Sequence, residues 1–258
     1  MWKRFLIPHH VTGFWTPRYR DAPIYTGSVG AGLLLDYAQI KLSGGDVRYN
    51  DLIIERGAIG AVVESPYPLG YGYAASAVLN IAKAVAKYGN TPEAYVEAHV
   101  KEVVNGTGLG DVLAIYTGGC LVVRTSPGAP GVGHAVSFNC PKAAAVTLDM
   151  APTPTSYILQ SRREQLIEVG GRIFKKFMSN PSFDKFLELS YIFSKELGFL
   201  PPWAEELRRV KGHVGMYAKK GVLVIIVESD WVVDTVEFLK KRGVVHISHL
   251  VERSIVFD

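Results

Sequence analysis

The sequence predicts an α+β protein built as two lobes. Three observations carry this expectation. Short branched and apolar runs, bounded by Gly, Asp and Pro, open the chain and give way to two helical patterns. The Pro-rich stretch Ala151-Pro152-Thr153-Pro154-Thr155 then interrupts the pattern. Beyond it the chain reads as helical and closes on a β-α-β arrangement, so the seam is expected near Ala151, dividing residues 1–150 from 151–258.

Each element has a local cause. Residues 3–7, 32–42 and 58–63 read as strands. A helix over 74–88 is stopped by Gly89-Asn90. The next starts with Thr91 as N-cap and Pro92 at its first position and runs over 93–104. The run Asn105-Gly106-Thr107-Gly108-Leu109-Gly110-Asp111 is too glycine-rich to continue it. Residues 121–124 and 136–139 read as strands around a Pro/Gly turn, and 144–148 as another strand. In the second half, residues 162–178 place Leu166, Ile167, Ile173, Phe174 and Phe177 on one face. Residues 183–197 do so with Phe183, Phe186, Leu187, Tyr191 and Phe193. A helix over 230–242, acidic in its first turn and basic in its last, lies between strands at 222–227 and 244–249.

The composition is that of a globular protein with a mild formal charge of +4. The charge suits a small anionic substrate. With no dense basic tract, a nucleic-acid partner is not expected, and Arg208-Arg209-Val210-Lys211 reads as a solvated helix end. The longest clean apolar run, 222–227, is too short to span a bilayer, and the N-terminus lacks a signal-peptide core, so a cytoplasmic protein without membrane partners is expected. Cys120 and Cys140 form no C-x-x-C and are expected as buried free thiols in a reducing compartment.

The most informative stretch is Ser65-Pro66-Tyr67-Pro68-Leu69-Gly70-Tyr71-Gly72-Tyr73-Ala74-Ala75-Ser76-Ala77. It runs small residues straight into an apolar helix, where unpaired N–H groups and the helix dipole suit a phosphate. Gly70 and Gly72 allow close backbone approach, and Ser76 adds a hydroxyl. The spacing is neither the P-loop nor the dinucleotide fingerprint. A plain turn before a core helix reads equally well from these residues alone.

A second constellation lies downstream. His99 and Glu102, three apart, share a helix face, and Asp111 follows nine residues later behind the glycine turn. Carboxylates so placed suit a metal–phosphate site: one holds Mg²⁺ with a hydroxyl such as Ser76, the other orients or deprotonates a hydroxyl. Individually, Glu102 also reads as a solvated charge, Asp111 as a helix N-cap and His99 as a packed or surface histidine. Together with the loop they point to phosphoryl transfer.

Residues 68–77 resemble the phosphate-loop motif of the GHMP kinases, roughly P-x-G-x-G-L-G-S-S-A, with Ala74 and Ala75 in place of the family's last Gly and first Ser. Glu102, Asp111 and Thr117-Gly118-Gly119 are similar to the segment that carries the family's Mg²⁺-binding Glu and catalytic Asp. Ile7-Pro8-His9-His10-Val11-Thr12-Gly13-Phe14-Trp15, Gly27-Ser28-Val29-Gly30-Ala31-Gly32 and the segments 98–103, 107–112 and 124–131 resemble the archaeal pantoate-kinase branch, with a weaker echo at 155–159. The resemblance implies an N-terminal lobe like ribosomal protein S5 and a ferredoxin-like C-terminal lobe. It implies ATP- and Mg²⁺-dependent phosphorylation of pantoate on the route to coenzyme A. Asp111, Ser76 and Glu102 would be catalytic, the last two also holding the metal. Pro68, Gly70, Gly72, Ala74, Ala75 and Ser76 would bind ATP, and Ser28, His99, Arg124 and Thr155 the substrate. A homodimer is compatible with it. A sibling kinase for homoserine or a mevalonate derivative, or a non-catalytic binding protein on the same fold, are the alternatives. Four features depart from the family. His9 replaces a Gly, Val29 replaces an Arg, and His10 stands where many members carry a Lys. The third, C-terminal glycine loop is not obvious, residues 212–218 lying about where it belongs.

Overall fold

The computed structural model describes residues 4–57 and 59–257. The expected strand starts at Lys3 and Ala58, and the opening Met1-Trp2-Lys3, lie outside the described residues. In chain order the strands and helices are β1 (Arg4–Arg18), β2 (Gly27–Gly44), β3 (Val47–Tyr49), β4 (Leu52–Glu55), β5 (Ile59–Glu64), α1 (Ala75–Tyr88), α2 (Pro92–Val104) and α3 (Asp111–Thr117). There follow β6 (Leu121–Ser126), β7 (His134–Phe138), β8 (Ala144–Asp149), α4 (Thr155–Ser161), α5 (Arg163–Met178) and α6 (Phe183–Glu196). The chain ends with β9 (His213–Lys219), β10 (Val222–Val227), α7 (Val232–Leu239), β11 (Val245–Ser248) and β12 (Val256–Phe257).

Two sheets organise them, as an α+β architecture demands. The first is eight-stranded, in the order β12-β1-β2-β5-β3-β4, with β6 added on β2 and β7 on β6. Its centre is the long β1–β2 hairpin, whose register slips at Pro8/His9 and again at Thr12/Phe14. Such bulges re-aim side chains, and the residues between these two reach the site described below. The second sheet is antiparallel, in the order β11-β8-β10-β9. β10 and β11 both pair with β8, so the expected β-α-β unit is a split one, with β8 between its strands. β8 precedes residue 151 yet belongs to the second sheet, and β12 returns to the first.

Burial follows the sequence pattern. α1 buries an almost continuous Ala/Val/Leu/Ile face against the first sheet. α5 packs most of its predicted face against β1, with Ile167 left exposed, and α6 packs between β1 and β9; there Phe14 meets Phe177 at 5.3 Å and Trp15 meets Phe193 at 4.9 Å. The helix expected over 162–178 is α5, and a short further helix, α4, precedes it, the two separated where Arg162 leaves helical geometry at φ −129°. Residues 212–218, about where a third glycine loop would belong, lie mostly in strand β9.

Cys120 and Cys140 are joined by a disulfide with a Cα–Cα distance of 5.7 Å, which corrects the free-thiol expectation. The cause is register. They flank the β6–β7 hairpin, in which Leu121 pairs with Phe138, so the ladder brings the two cysteines together.

Candidate active site

The phosphate-like loop links β5 to α1. Gly70 and Gly72 have φ of +90° and +108°. A Cβ on Gly72 would also stand 2.9 Å from the Lys219 carbonyl oxygen, so glycine there is required by conformation and by space. Ala74 caps α1 at φ 57°, a left-handed position that costs a Cβ-bearing residue about 1–2 kcal/mol. No side chain caps the α1 N-terminus and no acid occupies its first turn. Its leading N–H groups and dipole therefore face the cleft, ready for an anion.

The loop is held from behind by side chains to which the motifs gave no role. The Tyr67 and Tyr73 rings stack at 4.1 Å. Tyr67 donates to Asp36 at 2.9 Å, and Tyr73 to Asp149 at 2.7 Å in the second sheet. His9, fully buried, contacts the Tyr73 carbonyl through Nδ1 at 3.0 Å and Ser65 Oγ through Nε2 at 2.9 Å. Burial pushes its pKa down to about 4, so it is a neutral strut. That is what His9 does where the resembling family carries Gly.

Ser76 and Glu102 are brought together. Ser76 Oγ donates to Glu102 Oε2 at 3.1 Å, while Asn80 Nδ2 and Thr107 Oγ1 each donate to Oε1 at 2.7 Å. Ser76 and Asn80 lie four apart on α1, hence on one face. Glu102 is buried, not a solvated charge. Burial pushes its carboxyl pKa up, reinforced by Asp111, and the three donors pull it back. Gly108 lies close by, and a Cβ there would strike Glu102 Oε2.

Asp111 is the first residue of α3, with Gly110 as cap. His10 Nδ1 stands 2.6 Å from its Oδ1, with Thr12 Oγ1 and Lys219 Nζ each at 3.4 Å. Burial works to raise the Asp111 carboxyl, but Lys219, His10 and Arg124 outweigh it and hold it well below the usual range. His10 is neutral, its pKa lowered to about 4 chiefly by burial. Next to an ionised Asp111 its Nδ1 carries the proton, which leaves Nε2 to accept from Arg124 Nη1 at 3.4 Å. The result is a buried Arg124–His10–Asp111 relay that ends on a carboxylate. Arg124 keeps its charge, burial lowering its pKa only to about 10, and its Nε is buried with no hydrogen-bond partner. Beside it stands Ser28, a Cβ on Gly110 coming within 2.7 Å of both Arg124 Nε and Ser28 Oγ.

Two cavities meet at this carboxylate. One, about 220 Å³, is lined by Gly70, Gly72, Ala74, Ala75 and Ser76. The other, a smaller space of about 30 Å³, is lined by Thr12, Ser28, Gly110, Arg124 and Leu159 among others. Asp111, Thr155, Lys219 and Lys220 line both. The predicted residues therefore divide into a phosphate side and an acceptor side with Asp111 between them. Three line neither cavity. They are Glu102, which accepts from Ser76 behind the phosphate side; Pro68; and His99, buried with its Nε2 on the Thr26 carbonyl at 2.9 Å, next to the strand that carries Ser28. Thr12 and Thr107 lie in segments quoted above but were given no role there, and Asn80, Lys219 and Lys220 lie outside every motif. Asn80 was findable from its spacing to Ser76. The lysines were not, because they come from a hairpin of the second sheet.

No cluster of three metal-ligating side chains exists among the described residues. Mg²⁺ does not need one. It takes one or two carboxylates and completes its shell with phosphate oxygens and water, and the oxygen donors Glu102 and Ser76 fit that habit. No helix among the described residues is long and apolar enough to cross a membrane.

No protein-family model matches the chain. It is 30% identical over 217 residues to a pantoate kinase of Methanocaldococcus jannaschii, covering 75% of this chain and 80% of that protein. It is 26% identical over 239 residues to a pantoate kinase of Thermococcus kodakarensis, covering 80% and 79%. A solved phosphotransferase related to the CoA biosynthesis pathway shares the fold at a TM-score of 0.83 and 21% identity, covering 99% of this chain and 98% of that one. Methanococcus jannaschii mevalonate kinase superposes at a TM-score of 0.65 and 12% identity, with coverage of 98% and 99%. The chain belongs to the GHMP-kinase superfamily and is related there to the archaeal pantoate kinases. It is thus an ATP-dependent small-molecule kinase, of a family that uses ATP with Mg²⁺.

Proposed function

We propose that the protein transfers the γ-phosphoryl group of ATP to the primary hydroxyl of pantoate, giving 4-phosphopantoate on the route to coenzyme A. The observation that carries the reading is the junction of the two cavities at Asp111, with an unpartnered buried guanidinium nitrogen on the acceptor side. A small acid needs a cation for its carboxylate, and Arg124 offers one with polar capacity to spare. Ser28 and Thr155 add hydroxyls beside it. The relatedness to pantoate kinases supports the same choice.

In this reading the acceptor lies with its carboxylate on Arg124 and its hydroxyl at Asp111. Asp111, held ionised by Lys219 and His10, takes the hydroxyl proton. The acceptor oxygen forms its bond to the γ-phosphorus while the bond to the β–γ bridging oxygen breaks, and ADP leaves with that electron pair. The α1 N-terminus and Ser76 bind and orient the phosphates, and Glu102 and Ser76 would hold Mg²⁺. The metal, when bound, neutralises phosphate charge. Gly70 and Gly72 let the backbone approach the phosphates closely. Most of the rate advantage is positioning and charge compensation, because phosphoryl transfer asks for little covalent help from a protein.

The test is ADP release measured over pantoate, homoserine, mevalonate and pantothenate, with the phosphorylated position read by ³¹P–¹H correlation. Pantoate is expected to have the highest kcat/KM and to carry phosphate on its primary oxygen. A clear preference for another alcohol would refute the substrate assignment.

A further inference from the structure

Two adjacent lysines enter the site from the β9–β10 hairpin, and no motif accounts for them. Lys219 ends β9 and Val222 begins β10, so Lys220 and Gly221 make a two-residue turn. Consecutive residues of an extended strand point to opposite faces. Lys220 instead has φ +52°, a left-handed backbone that turns its side chain back beside that of Lys219. Both lysines line both cavities.

Their partners differ. Lys219 Nζ lies 3.4 Å from Asp111 Oδ1 and 3.3 Å from Thr12 Oγ1. Lys220 Nζ donates to Thr155 Oγ1, its one hydrogen-bond acceptor among the described residues. A neutral hydroxyl is a poor counterpart for a partly buried ammonium, the more so beside a second one. Burial first, then Lys219, lowers the Lys220 pKa to about 7. A lysine at a left-handed turn position is also strained, where Asn or Gly would be favoured. Lys220 thus borders the cavity formed by Gly70, Gly72 and the start of α1, as well as the acceptor cavity.

Resting on the kinase reading above, we propose that Lys220 is a catalytic phosphate-binding residue, its ammonium leaving Thr155 for an oxygen of the γ-phosphoryl group. Lys219 is a positioning residue that holds Asp111 ionised and aimed. The second sheet thereby supplies the two cations of the transfer: one follows the phosphoryl group from ADP to the acceptor oxygen, the other stays on the carboxylate that receives the hydroxyl proton. Lys220 neither gains nor loses a proton in the step.

The test compares Mg²⁺ complexes of ADP and of β,γ-methylene-ATP by titration calorimetry, which needs no acceptor. Lys220→Met and Lys220→Asn should each weaken the triphosphate by about tenfold or more, the loss of one charge-assisted hydrogen bond, with ADP within about twofold. Lys220→Asn should also raise the melting temperature, because Asn tolerates the left-handed turn; greater stability with lost triphosphate preference is not what a structural role produces. It keeps the test available if Lys220→Met does not fold. Lys219→Met should leave both nucleotide affinities within about twofold, lower kcat, and move the acid limb of the kcat–pH profile upward. An unchanged triphosphate-to-diphosphate ratio in a folded Lys220 variant overturns the proposal while the kinase reading stands. A wild-type protein that binds neither nucleotide overturns both.

Discussion

Replacing Arg124 with Met separates recognition from chemistry on the acceptor side. Met keeps an unbranched apolar stem and removes the charge and the donors. The side chain is 1% exposed, so nothing from solvent compensates. Two effects follow, of unequal size. The first is loss of the carboxylate partner. A buried charge pair broken from one side costs about 2–5 kcal/mol, or roughly thirtyfold to a few thousandfold. The second is loss of the donor to His10 Nε2, a long contact at 3.4 Å. Asp111 keeps Lys219 and His10, and Arg124 is the smallest of its three supports, so the carboxylate stays ionised. Lost uniform binding raises KM with kcat nearly unchanged. We expect KM for pantoate to rise at least thirtyfold, kcat to fall by less than about tenfold, and KM for ATP to stay within about twofold. The decisive assay is ADP release with pantoate and with its primary amide, which lacks the carboxylate charge. Wild type should prefer the acid strongly, and Arg124→Met should abolish that preference. Arg124→Lys should recover part of it, because ammonium cannot form two parallel bonds. A folded Arg124→Met enzyme that still prefers the acid as strongly as wild type would refute the assignment.

Ser76→Ala and Glu102→Gln should each lower kcat by about 10²–10³, with far-ultraviolet dichroism unchanged; normal turnover at saturating Mg·ATP in both would remove them from the site. Acid stability has a defined sign. His9 is neutral when folded, with a pKa of about 4, and takes up a proton near 6.5 when unfolded. The unfolded state therefore binds more protons between those values, so stability falls as pH drops from 6.5 to 4. His9→Gln should flatten that part of a melting-temperature profile, and an identical slope in the variant would assign the effect elsewhere. The Cys120–Cys140 bond closes a 20-residue separation, and the loop-closure estimate for it is about 3 kcal/mol. Reductant should lower the denaturation midpoint accordingly, while a Cys120→Ser/Cys140→Ser double variant should show no response. A wild-type midpoint indifferent to reductant would mean that the thiols are not bonded.

What could be read from the chain is what neighbours in sequence decide among themselves. The glycine loop and the helix behind it were legible because backbone freedom and helix-end polarity are local properties, and β10 carries the predicted limits 222–227 because its six apolar residues stand between turn signals. Ser76, Glu102 and Asp111 were legible through residue type at characteristic spacing. Their burial was not. Glu102 resembles any helical glutamate until Ser76, Asn80 and Thr107 close around it. His10 meets Asp111 across 101 residues and Lys219 across 108, and no periodicity encodes such separations. The disulfide depended on the β6–β7 register, and His99 turned from the acceptor cavity to the Thr26 carbonyl for lack of a local signal to say which way it points. Sequence by itself determined the α+β class, the phosphate-side backbone and the residues able to do the chemistry. Only the packing of the second sheet against the first decided which cations stand at the carboxylate, because charge acts through space and within a few ångströms.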